Sequence, residues 1–227
     1  MKRTAIRRIL AIVTTAGFLL CPMKMYGHTE NPTQQQKMVA LTFDDGPHPR
    51  HTDMILDILA KYEIKATFFV IGQNAEAYPE PLQRAFKEGH EIENHSFDHK
   101  TKEKSSIELR ESIEATSSVI EGLTGRRPRF FRSPCGRSTE TVKTAVTSLS
   151  MRPVLWTVDS EDWMGKSSSA IVSQVLRGAK GNEVVLFHDY TCPSHHVMDA
   201  LPIVIEGLRE KGYRFVTVEE YFRVIDG

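Results

Sequence analysis

From Met38 onward the chain alternates short apolar runs with longer segments whose apolar residues recur every three or four positions. The short runs, bounded by turn residues, read as buried strands, and the helical period reads as amphipathic helices. Residues 38–43 form the first strand, and residues 51–62, apolar at Met54, Ile55, Ile58 and Leu59, the first helix. A second strand follows at 66–71, then a helix with Pro81 inside its start and Gly89 past its end. Residues 91–94 are a third strand. The long helix over 106–123 has Ser105 and Glu108 spaced as a capping box and Leu109, Ile113, Ile120 and Leu123 along one face. The pattern then predicts strands at 129–131, 153–158, 183–187 and 214–218. Between them fall helices over 139–149, capped by Ser138, over 168–178, and over 197–211, where Pro202 marks a kink or a later start. A last helix, 218–224, begins behind a Thr217-to-Glu220 capping box.

Seven strand-to-helix alternations without a break predict a single domain, a parallel sheet covered by helices, either closed as a barrel or open and doubly wound. The pattern before residue 38 is of another kind. Lys2, Arg3, Arg7 and Arg8 precede an apolar run over 9–20, and polar residues follow from His28. That order is an export signal, and its apolar run is too short to span a bilayer comfortably. The expected organisation is a signal peptide, 1–27, a polar linker, 28–37, and a catalytic domain, 38–227, with an uncleaved anchor as the alternative. The protein is expected in the periplasm, the cell envelope or the medium, with no stable membrane insertion after cleavage. Loss of residues 1–27 removes five basic and no acidic residues, so the formal charge moves from 0 to −5. A mildly acidic domain without a basic tract excludes the usual nucleic-acid binders.

In parallel βα folds the functional groups gather at the carboxyl ends of the strands. The unusual polar residues fall there one after another: Asp44 and Asp45, His95 and His99, Arg132, Asp162 with Trp163, and His188. Two adjacent acids repel, so a metal ion or an arginine must hold their charge, unless the pair is a turn capping the next helix. His95 and His99 are spaced i, i+4, which puts both imidazoles on one side of a helical turn, although two solvated loop histidines have the same spacing. With one of the acids they make a three-ligand set with an open position, leaving the other acid to take a proton. Arg132, between Phe130-Phe131 and Ser133-Pro134, reads as a guanidinium turned inward to a carboxylate. His188, after the apolar run 184–187, is either a core histidine or a general acid whose second nitrogen Asp162 holds. Trp163 is core or a stacking wall for a sugar ring. His90, His195 and His196 read as solvent-facing or helix-terminal residues.

These residues sit in five motifs, in order: Thr42-Phe43-Asp44-Asp45-Gly46-Pro47, the stretch from Gly89 through His95-Ser96-Phe97-Asp98-His99, Arg132-Ser133-Pro134-Cys135-Gly136, residues 159–163, and Leu186-Phe187-His188. From residue 39 to the end the chain resembles the polysaccharide deacetylases, carbohydrate esterases of family four related to chitooligosaccharide deacetylase. The resemblance implies an irregular (β/α)7-type barrel of parallel strands that binds one divalent metal, zinc with cobalt or nickel as alternatives, through Asp45, His95 and His99. It implies Asp44 as the base toward a metal-bound water, Arg132 orienting it, and His188 as the acid, oriented by Asp162. The backbone N–H of Cys135 would stabilise the oxyanion, and Leu186 and Trp163 would enclose the acetyl methyl. The implied reaction is removal of acetyl groups from N-acetylated amino sugars of peptidoglycan or a chitin-like glycan. An O-acetyl xylan esterase and a non-catalytic glycan-binding module are the alternatives. A metal-dependent phosphoesterase is disfavoured, because no further acids are available for a second metal. Cys135 stands where the family commonly has an aromatic residue, and a disulfide from it to Cys192 is an expectation, since both lie on this rim.

Overall fold

The fold is built outward from β1 (Met38–Asp44), every residue of which is buried. Its side chains alternate between two faces. Val39, Leu41 and Phe43 enter a large cluster with α1 (His51–Lys61) and α7 (His196–Glu210), whereas Met38 and Ala40 enter a smaller one closed by α8 (Val218–Asp226). Both faces are covered, which is why the run is continuously apolar. The computed structural model describes residues 36–100, 104–190 and 196–227, and residues 36–227 form one unit. The expected signal peptide, most of the linker, Cys192 and His195 lie outside the described residues.

β2 (Thr67–Val70), β3 (Glu91–Asn94), β4 (Phe130–Phe131) and β5 (Arg152–Pro153) extend the sheet on one side of β1, and β7 (Glu183–His188) and β6 (Val158–Asp159) on the other. The order is β5-β4-β3-β2-β1-β7-β6, and every pairing is parallel. β8 (Arg214–Val216) pairs with Met38 to Ala40 of β1, while β2 pairs with Thr42 to Asp44. The outcome lies between the two expected architectures. It is a half-barrel of parallel strands ringed by helices, parted between β5 and β6.

That parting corrects the single strand expected over 153–158. The N–H of Val154 bonds the carbonyl of Phe131 at one end, and the N–H of Thr157 bonds that of Val184 at the other. A segment that leaves one sheet edge and joins the opposite one cannot run as one strand. Its freed carbonyls, of Val154 and Leu155, accept from Nε and a terminal nitrogen of the Arg132 guanidinium, both at 3.3 Å.

The other helices are α2 (Gly72–Ala77), α3 (Pro79–Lys87), α4 (Ser106–Thr124), α5 (Glu140–Ser148) and α6 (Ser168–Gly178). The Ser105–Glu108 capping box is complete, and the Thr217 hydroxyl accepts from the Glu220 N–H. α5 is capped by Thr139, not Ser138, and Pro202 lies inside α7. α2 was not predicted, because six residues are too few to show a period. His90, expected near solvent, is buried and accepts from the Ala66 N–H at 3.1 Å. Burial pushes its pKa down to about 4, and it serves as a neutral acceptor. No helix among the described residues is long and apolar enough to cross a membrane.

Candidate active site

The carboxyl ends of the strands converge on one cleft of about 350 Å³. Asp45 follows β1 and His95 follows β3. Asp45 Oδ1 lies 3.3 Å from Nε2 of His95 and 3.3 Å from Nε2 of His99. The three candidate ligand atoms fall within 4.8 Å of one another. Nδ1 of His95 donates to the Arg132 carbonyl at 2.8 Å, which fixes the tautomer and turns a bare Nε2 lone pair to the cluster. Burial keeps the His99 pKa below its ordinary value, so that imidazole also offers a lone pair. The pKa of Asp45 is lowered. Burial alone would raise it, but the hydrogen bond and charge of His95, then His188 and His99, outweigh burial. Asp45 Oδ1 is buried without a hydrogen-bond donor, an orphaned acceptor between two imidazoles that a cation would satisfy.

The two histidines meet by a different route from the helical turn their spacing suggests. Residues 95–100 are loop, with φ of 68° at Ser96 and 58° at His99. α2 holds that loop. The N–H groups of Gly72 and Gln73 bond the carbonyls of Ser96 and Phe97 at 3.0 and 2.9 Å. Asn74 in the same helix donates to the Asp45 carbonyl at 2.7 Å, so one short helix ties both ligand loops together. A Cβ on Gly72 would come within 2.4 Å of the Phe97 ring, so only glycine lets the loop approach so closely.

Asp44 shares the inward face of β1 with Thr42. A terminal nitrogen of Arg132 donates to Asp44 Oδ1 and to Thr42 Oγ1, each at 2.7 Å. The guanidinium, 0% exposed, lies over the Phe69 ring with 4.1 Å to its centroid. Its planar fork thus holds Asp44, bonds the carbonyls at the parting and packs against an aromatic face, a set of contacts that lysine cannot make. With Oδ1 locked, Oδ2 is left 3.8 Å from His95 Nε2.

Across the cleft, His188 ends β7. Its Nδ1 bonds Asp162 Oδ1 at 2.8 Å, and its backbone N–H donates to Asp162 Oδ2 at 2.8 Å. Burial works against a charged imidazole here, but the hydrogen bond and charge of Asp162, reinforced by Asp44 and Asp45, push the His188 pKa up to about 9. Leu186, Trp163 and Cys135 line the same cleft, with Trp163 and Cys135 exposed.

Several groups here had no signal in the sequence pattern. Trp156 and Asp159 also line the cleft. Asp189, fully buried, accepts from the Thr52 hydroxyl at 2.5 Å under the turn that follows Asp45. A Cβ on Gly46 would meet its carboxylate at 2.1 Å, so the Gly46-Pro47 pair was the one available sign that something packs close beneath. Of the seven non-glycine residues with φ above zero among the described residues, Asp45, Ser96, His99, Cys135 and Glu161 lie in the loops around this cleft. Strain concentrates where ligand and donor groups are aimed.

The family model for polysaccharide deacetylases matches residues 31–154. The chain belongs to the polysaccharide deacetylase family. It is 39% identical over 192 residues to a peptidoglycan-N-acetylmuramic acid deacetylase of Bacillus subtilis, covering 84% of this chain and 40% of that protein. The solved Bacillus subtilis structure matches with a TM-score of 0.77 at 38% identity, covering 85% of this polysaccharide deacetylase and 93% of that chain. A peptidoglycan-N-acetylglucosamine deacetylase of Bacillus cereus is 37% identical over 205 residues, covering 88% of this chain and 74% of that protein. A family pseudoenzyme from Bacillus anthracis also matches, with a TM-score of 0.76 at 30% identity and 82% and 66% of the two chains covered. The fold is therefore common to working and silent members, and the argument for activity rests on the side chains of this one.

Proposed function

We propose that this polysaccharide deacetylase is a metal-dependent hydrolase that removes acetyl groups from N-acetylated amino sugars of peptidoglycan or a chitin-like glycan, acting outside the cytoplasm behind its basic and apolar N-terminus. One observation carries the reading. A single cleft holds three convergent ligand atoms between a carboxylate with one oxygen locked to a buried arginine and an imidazole with one nitrogen locked to a buried aspartate. A glycan-binding module has no need of that combination. The names of the relatives support the substrate class.

Asp45 Oδ1 with the Nε2 atoms of His95 and His99 would hold one divalent cation, zinc or a neighbour such as cobalt or nickel. Such a cation, when bound, polarises an acetyl carbonyl and lowers the pKa of water. Asp44, held through Oδ1, takes a proton from the attacking water at Oδ2. The Cys135 N–H donates to the oxyanion that develops on the carbonyl oxygen. His188, held through Nδ1, delivers its Nε2 proton to the departing sugar nitrogen, so that acetate and a free amine result. Leu186 and Trp163 enclose the methyl group and exclude water.

The test is acetate release by the metal-loaded protein from N-acetylglucosamine oligomers, peptidoglycan and acetylated xylan. Release from the first two supports N-deacetylation, release from xylan alone replaces it with O-deacetylation, and no release from any sinks the enzyme reading.

A further inference from the structure

Beside the cleft lies a second concavity of about 380 Å³, between β4, β5 and α5. Its walls include Phe131, Val142 and Val154, all buried and apolar. Groove and cleft share two dividing segments. In the loop after β4, Ser133 and Arg137 line the groove and Cys135 between them lines the cleft. In the segment after β5, Leu155 lines the groove and Trp156 the cleft. The two are separated by one residue's thickness on either side, and the parting of the barrel at β5 leaves both open on the same rim.

Two polar groups of the groove are uncommitted. Ser133 is buried, and its Oγ has no hydrogen-bond partner, an arrangement that favours a ligand able to bond it. Arg137 is exposed, and its guanidinium makes no ion pair or hydrogen bond among the described residues, whereas Lys143 at the same groove is paired with Glu140 at 2.7 Å. An unpaired guanidinium above an apolar floor selects a carboxylate carried on a short alkyl arm.

We propose that this groove is a second subsite for the glycan, taking the carboxylate-bearing alkyl substituent of a sugar whose neighbour or own acetamido group occupies the cleft. Arg137 binds the carboxylate, Ser133 Oγ donates to the arm's oxygen, and Phe131, Val142, Val154 and Leu155 cover its carbons. A muramic acid residue with its lactyl ether has that chemistry, and a neutral N-acetylglucosamine oligomer lacks it. The assignment rests on the glycan reading above and narrows it to substrates with an acidic side arm.

The experiment measures dissociation constants by titration calorimetry for a chitin tetramer and for a peptidoglycan-derived tetramer with free lactyl carboxylates, using metal-loaded protein carrying Asp44→Asn so that neither turns over. The expected preference is for the acidic tetramer. Arg137→Glu should lower that preference by about tenfold or more, and Arg137→Lys should restore part of it. An unchanged preference, or equal weakening of both tetramers, overturns the subsite. Acetate release by the unsubstituted protein is read in parallel. If no glycan is deacetylated while Arg137→Glu still removes the preference, the catalytic reading falls and the subsite stands.

Discussion

The two walls of the cleft are built on opposite terms. The wall of Asp44, Asp45, His95 and Arg132 is buried and cross-braced, with Arg132 at 0% and His95 at 2% exposure, and α2 holds its two ligand loops. The facing wall belongs to loops around the parting between β5 and β6, and its Trp163 and Met164 are 54% and 56% exposed. Ligands and bases must be held to within a fraction of an ångström, which needs a supporting layer of bonds; a surface that chooses among sugars needs only shape. Substitutions on the first wall should therefore cost metal or turnover, and substitutions on the second should cost substrate choice.

The largest effect breaks the comparison at its centre. Asp44→Asn should lower kcat by about a thousandfold, within the range removal of a general base produces, while metal content by mass spectrometry stays near that of the unsubstituted protein. It also leaves the buried Arg132 facing a neutral amide, so the thermal midpoint should fall. His95→Ala should lose the metal itself. Equal metal loss in the two variants would mean that base and ligand are assigned the wrong way round.

Asn74→Ala comes next, because it touches neither substrate nor the ligand atoms. Loss of the Asn74 bond to the Asp45 carbonyl frees the ligand loop, and metal affinity should fall by about 10- to 100-fold with the fold intact by circular dichroism. Unchanged affinity would show that the strain at Asp45 is held by the rest of its loop without α2.

What the chain pattern made legible follows the same division. β1, β2 and β7 are continuous apolar runs because both their faces are covered, and they were readable for that reason. The parting was not, since Val154 to Thr157 continue an apolar run yet bond two different sheet edges. His95 and His99 were paired from a helical spacing and come together instead through a strained loop held by α2, a helix too short to register as periodic. Asp189 is a lone acid in sequence and gains its place only from a fold that puts Thr52 and Gly46 against it. The Cys135–Cys192 pairing falls on Cys192, outside the described residues.

A smaller, pH-dependent effect sharpens the contrast, because His188 stands between the walls. Its pKa is raised from the ordinary value of 6.5 to about 9, so the proton is present below that range and is lost as pH rises through it. Activity that needs this proton should fall on the same alkaline limb. The stability gained from the His188–Asp162 pair is likewise complete below pH 6.5 and lost through about 9. Asp162→Asn removes the largest raising influence, so the alkaline limb of the pH–rate profile should move to lower pH. A cation at Asp45 opposes the contribution of Asp44 and Asp45, so the metal-free protein should titrate His188 higher than the loaded one in an NMR titration. A limb that stays in place in Asp162→Asn would assign the acid to another group.

The smallest effect belongs to the open wall. The backbone N–H of Trp163 donates to Asp162 Oδ1 at 2.9 Å, so the main chain here helps to fix the acid while the exposed indole is free to meet a sugar. Trp163→Ala keeps that N–H and removes only the ring. Loss of an aromatic contact worth about 0.5–1.5 kcal/mol corresponds to a rise in KM of roughly 2- to 12-fold, with kcat and the alkaline limb of the pH–rate profile unchanged. A fall in kcat matching the rise in KM would mean that the indole acts on the reacting acetyl group or on His188, and the two walls would no longer divide chemistry from recognition.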